Sequence, residues 1–199
     1  MNKQLLAVLV GGVALFASVE ANASLLAGSA SFSGSGSYNG DLNILIDKVI
    51  PDEGTQWQTS TVWWEGLAPS FTMDYGAVVR VEDLLLSLDN NDSYKVSYSS
   101  DNVSWTELFT VQEGQGNVGW GMDTFSTNAS ADASLYVNAF DFSAIEARYI
   151  KIAAIGGDNM YSIGEIQASG SPVPVPSAML LLSVGCSALA LISRKRRIN

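Results

Sequence analysis

Five tryptophans and twenty carboxylates, with no histidine and a single cysteine, set the chemistry open to this chain of 199 residues. Trp120 stands in "GQGNVGWGMD" with glycine on both sides, a setting that leaves a large ring at a loop tip. An exposed indole stacks on the apolar face of a sugar ring, while nearby carboxylates and amides bond the sugar hydroxyls. The alternative is a ring folded back onto the domain. Trp63 and Trp64 are adjacent, and adjacent strand residues point to opposite faces, so one of the two should face outward. Trp120, Trp63 and Trp64 are therefore the candidate ligand contacts.

Catalysis has fewer openings. Without histidine there is no Ser-His-Asp or Cys-His machinery and no histidine-ligated zinc. A carboxylate glycosidase needs two acids across a cleft at a set separation; the chain has acids in plenty but no local catalytic motif. A binding or structural module is expected rather than an enzyme. Between Ser24 and Pro176 stand nineteen acidic and five basic residues. Such a surface repels phosphate backbones and excludes nucleic acid as a partner. It is compatible with neutral glycans, divalent cations or basic proteins, and equally with a charge that only keeps the protein soluble. Cys186 lies in an apolar tail, so the rest of the chain forms no internal disulfide.

The elements that must position these residues read as strands. Phe71, Met73 and Tyr75 alternate with polar residues up to Gly76, as do Tyr94, Val96 and Tyr98, and Leu135, Val137 and Ala139. Period-two runs rich in aromatic and β-branched residues predict half-buried strands. Turn clusters separate them at "PDEGT" (51–55), "DNND" (89–92), "SSDN" (99–102) and "IGGDN" (155–159). "DLLLSL" (83–88) has a helix-like composition but is short and lies between strand signals. Residues 24–41 are a Ser/Gly-rich lead-in, either flexible or an edge strand. Many short strands over one domain's length imply an all-β sandwich or barrel.

Three stretches carry a resemblance. "SYKVSYSSDNVSWTEL" (93–108), "ARYIKIAAIGGDNMYSIGEIQ" (147–167), and "GTQWQT" followed by "FTMDYG" are similar, in the same order, to the discoidin-like, or coagulation factor 5/8 C-type, family. The resemblance implies a galactose-binding-like jelly-roll β-sandwich over residues 42–170, with loops at one end forming a binding rim. It also implies that Trp57 and Trp105 pack as core residues. Many members of that family hold one structural Ca2+ between the first loop and the last strand. Asp47, Thr55 and Glu165 match its ligand positions, with Asp52 as an added or substitute ligand. Where the family has Asp-Gly this chain has Asp47-Lys48.

The two ends carry addresses. Lys3, the apolar run Leu5 to Ala17 and the small-x-small triplet Ala21-Asn22-Ala23 form a signal peptide, residues 1–23. Residues 171–199 combine a stiff proline spacer, an apolar span at 177–193 and the basic cluster Arg194, Lys195, Arg196 and Arg197. Seventeen residues at about 1.5 Å each make a short transmembrane helix, with the basic end held in the cytoplasm. This segment resembles the PEP-CTERM class of bacterial sorting signals, with Pro174-Val175-Pro176 in place of Pro-Glu-Pro. The resemblance implies processing by an exosortase. The expectation is an exported, transiently membrane-anchored protein of the bacterial surface or exopolysaccharide matrix that binds glycan. A structural or adhesive matrix protein without sugar affinity, or a carboxylate glycoside hydrolase, are the alternatives.

Overall fold

The computed structural model describes residues 24–26 and 30–173. The signal peptide, Pro174, Val175, Pro176, the span at 177–193 and the basic cluster lie outside the described residues. Among the described residues no helix is long and apolar enough to cross a membrane.

Among the described residues nine strands follow one another: β1 Ser24–Leu25, β2 Ser31–Ser35, β3 Val62–Glu65, β4 Ser70–Asp89, β5 Ser93–Ser99, β6 Thr106–Val111, β7 Met122–Ser126, β8 Ile145–Gly156 and β9 Met160–Pro172. Short 3-10 turns at Leu42–Ile46 and Asn138–Phe140 interrupt the connections. All strand pairings are antiparallel, and β4 organises them. Its first five residues, Ser70–Asp74, pair with β2 on one side and β8 on the other. Its last residues, Leu85–Asp89, pair with β7 and, as far as Leu88, with β9. Between Asp74 and Val79 the register shifts. There Gly76 takes a φ of +76°, and its N–H donates to Asp74 Oδ1 at 2.7 Å. Glycine meets a positive φ without steric cost, so the chain can bulge and change direction here. β4 thus passes from one layer, β2-β4-β8-β5-β6, into the other, where β7 and β9 flank it and β1 and β3 pair with the far edge of β9. The all-β sandwich expected from the alternation is the fold observed.

Hydrophobic side chains from both layers fill the space between them. Trp64, fully buried, packs against Phe71, Tyr161 and Tyr94 at centroid distances of 4.8, 5.8 and 6.4 Å. "DLLLSL" lies within β4, and Leu84, Leu86 and Leu88 are all buried.

The strand reading fails over residues 134–140. "SLYVNAF" is not a strand: Tyr136 makes a single parallel bridge to Ser126, and the chain then turns through Asn138–Phe140. Phe140 explains the break. Its ring stacks on Phe109 at 5.3 Å and meets Phe125 edge-on at 5.7 Å, pinning the connection into the core. The lead-in resolves as an edge strand, with Ser31–Ser35 paired to β4.

Candidate functional site

One end of the sandwich gathers the start of β9, β3, the 47–61 loop and the 112–121 loop. On β3, Val62 and Trp64 turn inward and are buried, so Trp63 and Glu65 share the outward face. Trp64 therefore belongs to the core and touches no ligand; Trp63, half-buried, is the outward member of the pair. Asn39 lies opposite Trp63 in an antiparallel bridge, its N–H donating to the Trp63 carbonyl at 2.8 Å and its carbonyl accepting from the Trp63 N–H at 3.1 Å. Gly40 permits that approach: it has a φ of +95°, and a Cβ there would fall 2.6 Å from the Thr61 carbonyl oxygen. Trp57 meets Trp63 edge-on, 5.4 Å between centroids and 88° between planes, and so braces the ring from the loop side.

Ser37, Tyr38, Asn39, Trp63 and Glu65 line an open cavity of about 500 Å³. Among the described residues, no side-chain hydrogen bond or ion pair engages the Ser37 or Tyr38 hydroxyl, the Asn39 amide, the Trp63 indole N–H or the Glu65 carboxylate. An indole face ringed by free donors and acceptors is an arrangement that accepts a polyhydroxylated ring.

Trp120 is 64% exposed at the tip of the 112–121 loop. That loop is held from beneath. Buried Asn90 accepts from the Gly116 N–H at 2.9 Å and donates to the Val118 carbonyl, and buried Asp123 accepts from Val118 N–H at 3.1 Å. Its far end is joined to the neighbouring loop by bonds from Met122 N–H to the Thr55 carbonyl, 2.9 Å, and from Gly54 N–H to the Met122 carbonyl, 2.8 Å. The exposed ring thus stands on an anchored loop, and it does not line the Trp63 cavity.

Of the residues matched to a cation site, Glu165 and Asp47 come together. Glu165 is fully buried; its Oε1 accepts from Lys48 N–H at 3.2 Å, and Oε2 has no partner. Burial pushes its carboxyl up to about 7, and the nearby Asp47 charge adds to the effect. Lys48 has a φ of +69°, the left-handed conformation that glycine favours, so the residue that departs from Asp-Gly keeps a glycine-like backbone. Thr55 is half-buried on the adjoining loop, and Asp52 is exposed, its carbonyl closing a turn onto Thr55 N–H at 3.0 Å. Among the described residues no three His, Cys, Asp or Glu side chains group as a metal site. An ion at Glu165 would be completed by the Asp47 carboxylate and by hydroxyl and carbonyl oxygens of the loop, an all-oxygen set that suits a hard cation.

Sequence reasoning missed the cavity's polar members. Glu65 could have been placed with Trp63 by alternation, but Ser37, Tyr38 and Asn39 reach the site only through the bridge to β3. The chain turns at "DNND" as expected, but the burial of Asp89, Asn90 and Asp92 was not foreseen. Asp92 accepts from the Asp158 N–H at 3.1 Å and from the Tyr94 hydroxyl at 3.4 Å. Desolvation, with the Asp158 charge, raises Asp89 to about 6; desolvation, with the charges of Asp89 and Asp158, raises Asp92 to about 8. Trp57 and Trp105 are half-buried rather than enclosed. Lys151 lies 3.8 Å from the Trp105 ring centroid, a cation–π cover in place of core packing.

Residues 27–166 match the model of the F5/8 type C domain. Solved structures similar to this chain include a truncated AlyQ with CBM32 and alginate lyase domains, at 22% identity over 73% of this chain and 33% of that one, TM-score 0.48. This chain thus spans about a third of that protein's length. Another is CpGH89CBM32-5 from Clostridium perfringens, in complex with GalNAc-beta-1,3-galactose, at 15% identity over 73% and 99% of the two chains, TM-score 0.48. A third is chitosan-binding module 1 derived from a chitosanase/glucanase of Paenibacillus sp. IK-5, at 19% identity over 74% and 99%, TM-score 0.47. No curated protein matches the chain.

Proposed function

Because the chain belongs to the F5/8 type C domain family, we propose that it is a non-catalytic glycan-binding protein of the bacterial surface or exopolysaccharide matrix. The observation that carries this reading is the cavity at Trp63: a braced indole surrounded by polar groups that no other described residue engages. Trp120, exposed at the same end, is a second stacking surface for a longer polymer. The test is retention of the purified protein on the producer's own polysaccharide. Retention that drops about tenfold or more in Trp63→Ala, and less in Trp120→Ala, supports the reading; no retention on any glycan overturns it in favour of a purely structural matrix protein.

Glu165, Asp47 and Thr55, with Asp52 at the loop edge, are proposed to hold one structural Ca2+. Its support is the buried Glu165 oxygen without a partner. The ion would neutralise that carboxylate and tie the 47–55 loop to β9. A melting temperature that rises with added calcium and falls with chelator, in the wild type and not in Glu165→Gln, is the expected result.

Delivery is proposed from the sequence. The signal peptide at 1–23 starts export, the helix at 177–193 halts it, and Pro174-Val175-Pro176 with Arg194, Lys195, Arg196 and Arg197 directs an exosortase. Replacing the four basic residues by Ser should leave the full-length chain uncleaved in the membrane fraction.

A further inference from the structure

We infer that the Trp63 cavity prefers a glycan bearing free amino groups, a hexosamine polymer at least partly unacetylated, with Glu65 as the residue that selects it. The inference rests on the glycan-binding reading above and names the class of sugar. Glu65 shares the outward face of β3 with Trp63, two residues on, so its carboxylate stands beside the indole on which a sugar ring would stack. No lysine or arginine lines the cavity. Among the described residues the ion pairs are Arg80–Glu82 and Arg148–Asp74, and neither involves Glu65.

An unpaired carboxylate at a binding surface decides between ligands by what desolvation leaves behind. A neutral sugar laid over Trp63 takes water from Glu65 and returns only hydroxyl hydrogen bonds. A uronate brings a like charge, which is repelled both locally and by the acidic excess of the whole exported region. An ammonium group on the stacked ring supplies the missing countercharge and makes a charge-assisted hydrogen bond. The Ser37 hydroxyl and Asn39 amide remain for the neighbouring sugar hydroxyls.

The test uses the whole protein in detergent micelles, titrated with three tetrasaccharides: glucosamine, N-acetylglucosamine and mannuronate. The expected order is glucosamine tighter than N-acetylglucosamine by about tenfold, the scale of one charge-assisted bond, with mannuronate weakest. Glu65→Gln should abolish the tenfold preference and leave N-acetylglucosamine binding unchanged, while Trp63→Ala weakens both. Glu113→Gln, a carboxylate on the 112–121 loop outside the cavity, should leave the preference intact. Equal affinity for the two hexosamine tetramers, or a preference lost equally in Glu113→Gln, overturns the inference while glycan binding stands. Failure of all three sugars, with the producer's polysaccharide also unbound, overturns the glycan-binding reading itself.

Discussion

Trp63 and Trp64 are neighbours in the chain with opposite duties, and substitution should separate them. Trp64→Ala removes a fully buried ring that packs against Phe71, Tyr94 and Tyr161. Large-to-small changes of this kind cost about 3–5 kcal/mol, so urea unfolding should shift to much lower denaturant. Trp63→Ala leaves the inner layer untouched; its unfolding midpoint should move little while glycan retention is lost. If both variants unfold alike, Trp63 is a packing residue and the cavity is incidental. Alternation alone separates the two rings in the sequence, because the period of a strand is two. It cannot say which ring is inside, since that depends on which face of β3 meets the other layer. Glu165 shows the same limit from the other side: its type and place in "IGEIQ" mark it as a ligand candidate, but its full burial with a free oxygen exists only once β9 lies between β4 and β3.

Loops set the site's shape at the level of elements, and one glycine couples two of them. Gly121 has a φ of +74°, and a Cβ there would lie 2.6 Å from the Thr55 carbonyl oxygen, beside the bond from Met122 N–H that joins the two loops. Gly121→Ala adds both a disfavoured backbone angle and a backbone clash, a cost of about 1–3 kcal/mol. The expected outcome is a lower melting temperature, together with faster hydrogen exchange at Gly54 and Met122. Strands were legible wherever one face is polar, as in 71–76 and 94–99. The length of β4 was not, because Gly76 reads as a terminator and is instead the bulge through which the strand continues into the second layer. The 135–139 run misled for the opposite reason: its alternation is real, but Phe140 is drawn into a cluster with Phe109 and Phe125, and the chain must turn to deliver it. Ring placement outweighed local pattern.

Charge acts on the whole molecule. Asp92, raised to about 8, and Asp89, raised to about 6, are both buried near the turn that leads from β4 into β5. A carboxyl raised above its unfolded value near 3.9 keeps its proton in the folded state after the unfolded chain has released it. The folded state therefore loses relative stability as pH rises from about 4 through those two values, and does not gain it. In chelator the melting temperature should fall between pH 5 and pH 8.5, and Asp92→Asn should flatten that slope; a melting temperature that rises over this interval would contradict the assignment of both groups. β9 has a consequence of a different kind. It runs from Met160, beside Glu65 on β3, to Pro172, where the chain leaves toward its tail, and its thirteen residues span about 40 Å. The Trp63 cavity and the chain's exit thus lie at opposite ends of one strand that is bonded along most of its length to β4. A protein anchored by its tail and gripping polymer at its tip would carry tension lengthwise along that strand. The β9–β4 ladder would then be loaded in shear, with its hydrogen bonds sharing the force together, and the grip should let go before the domain unravels.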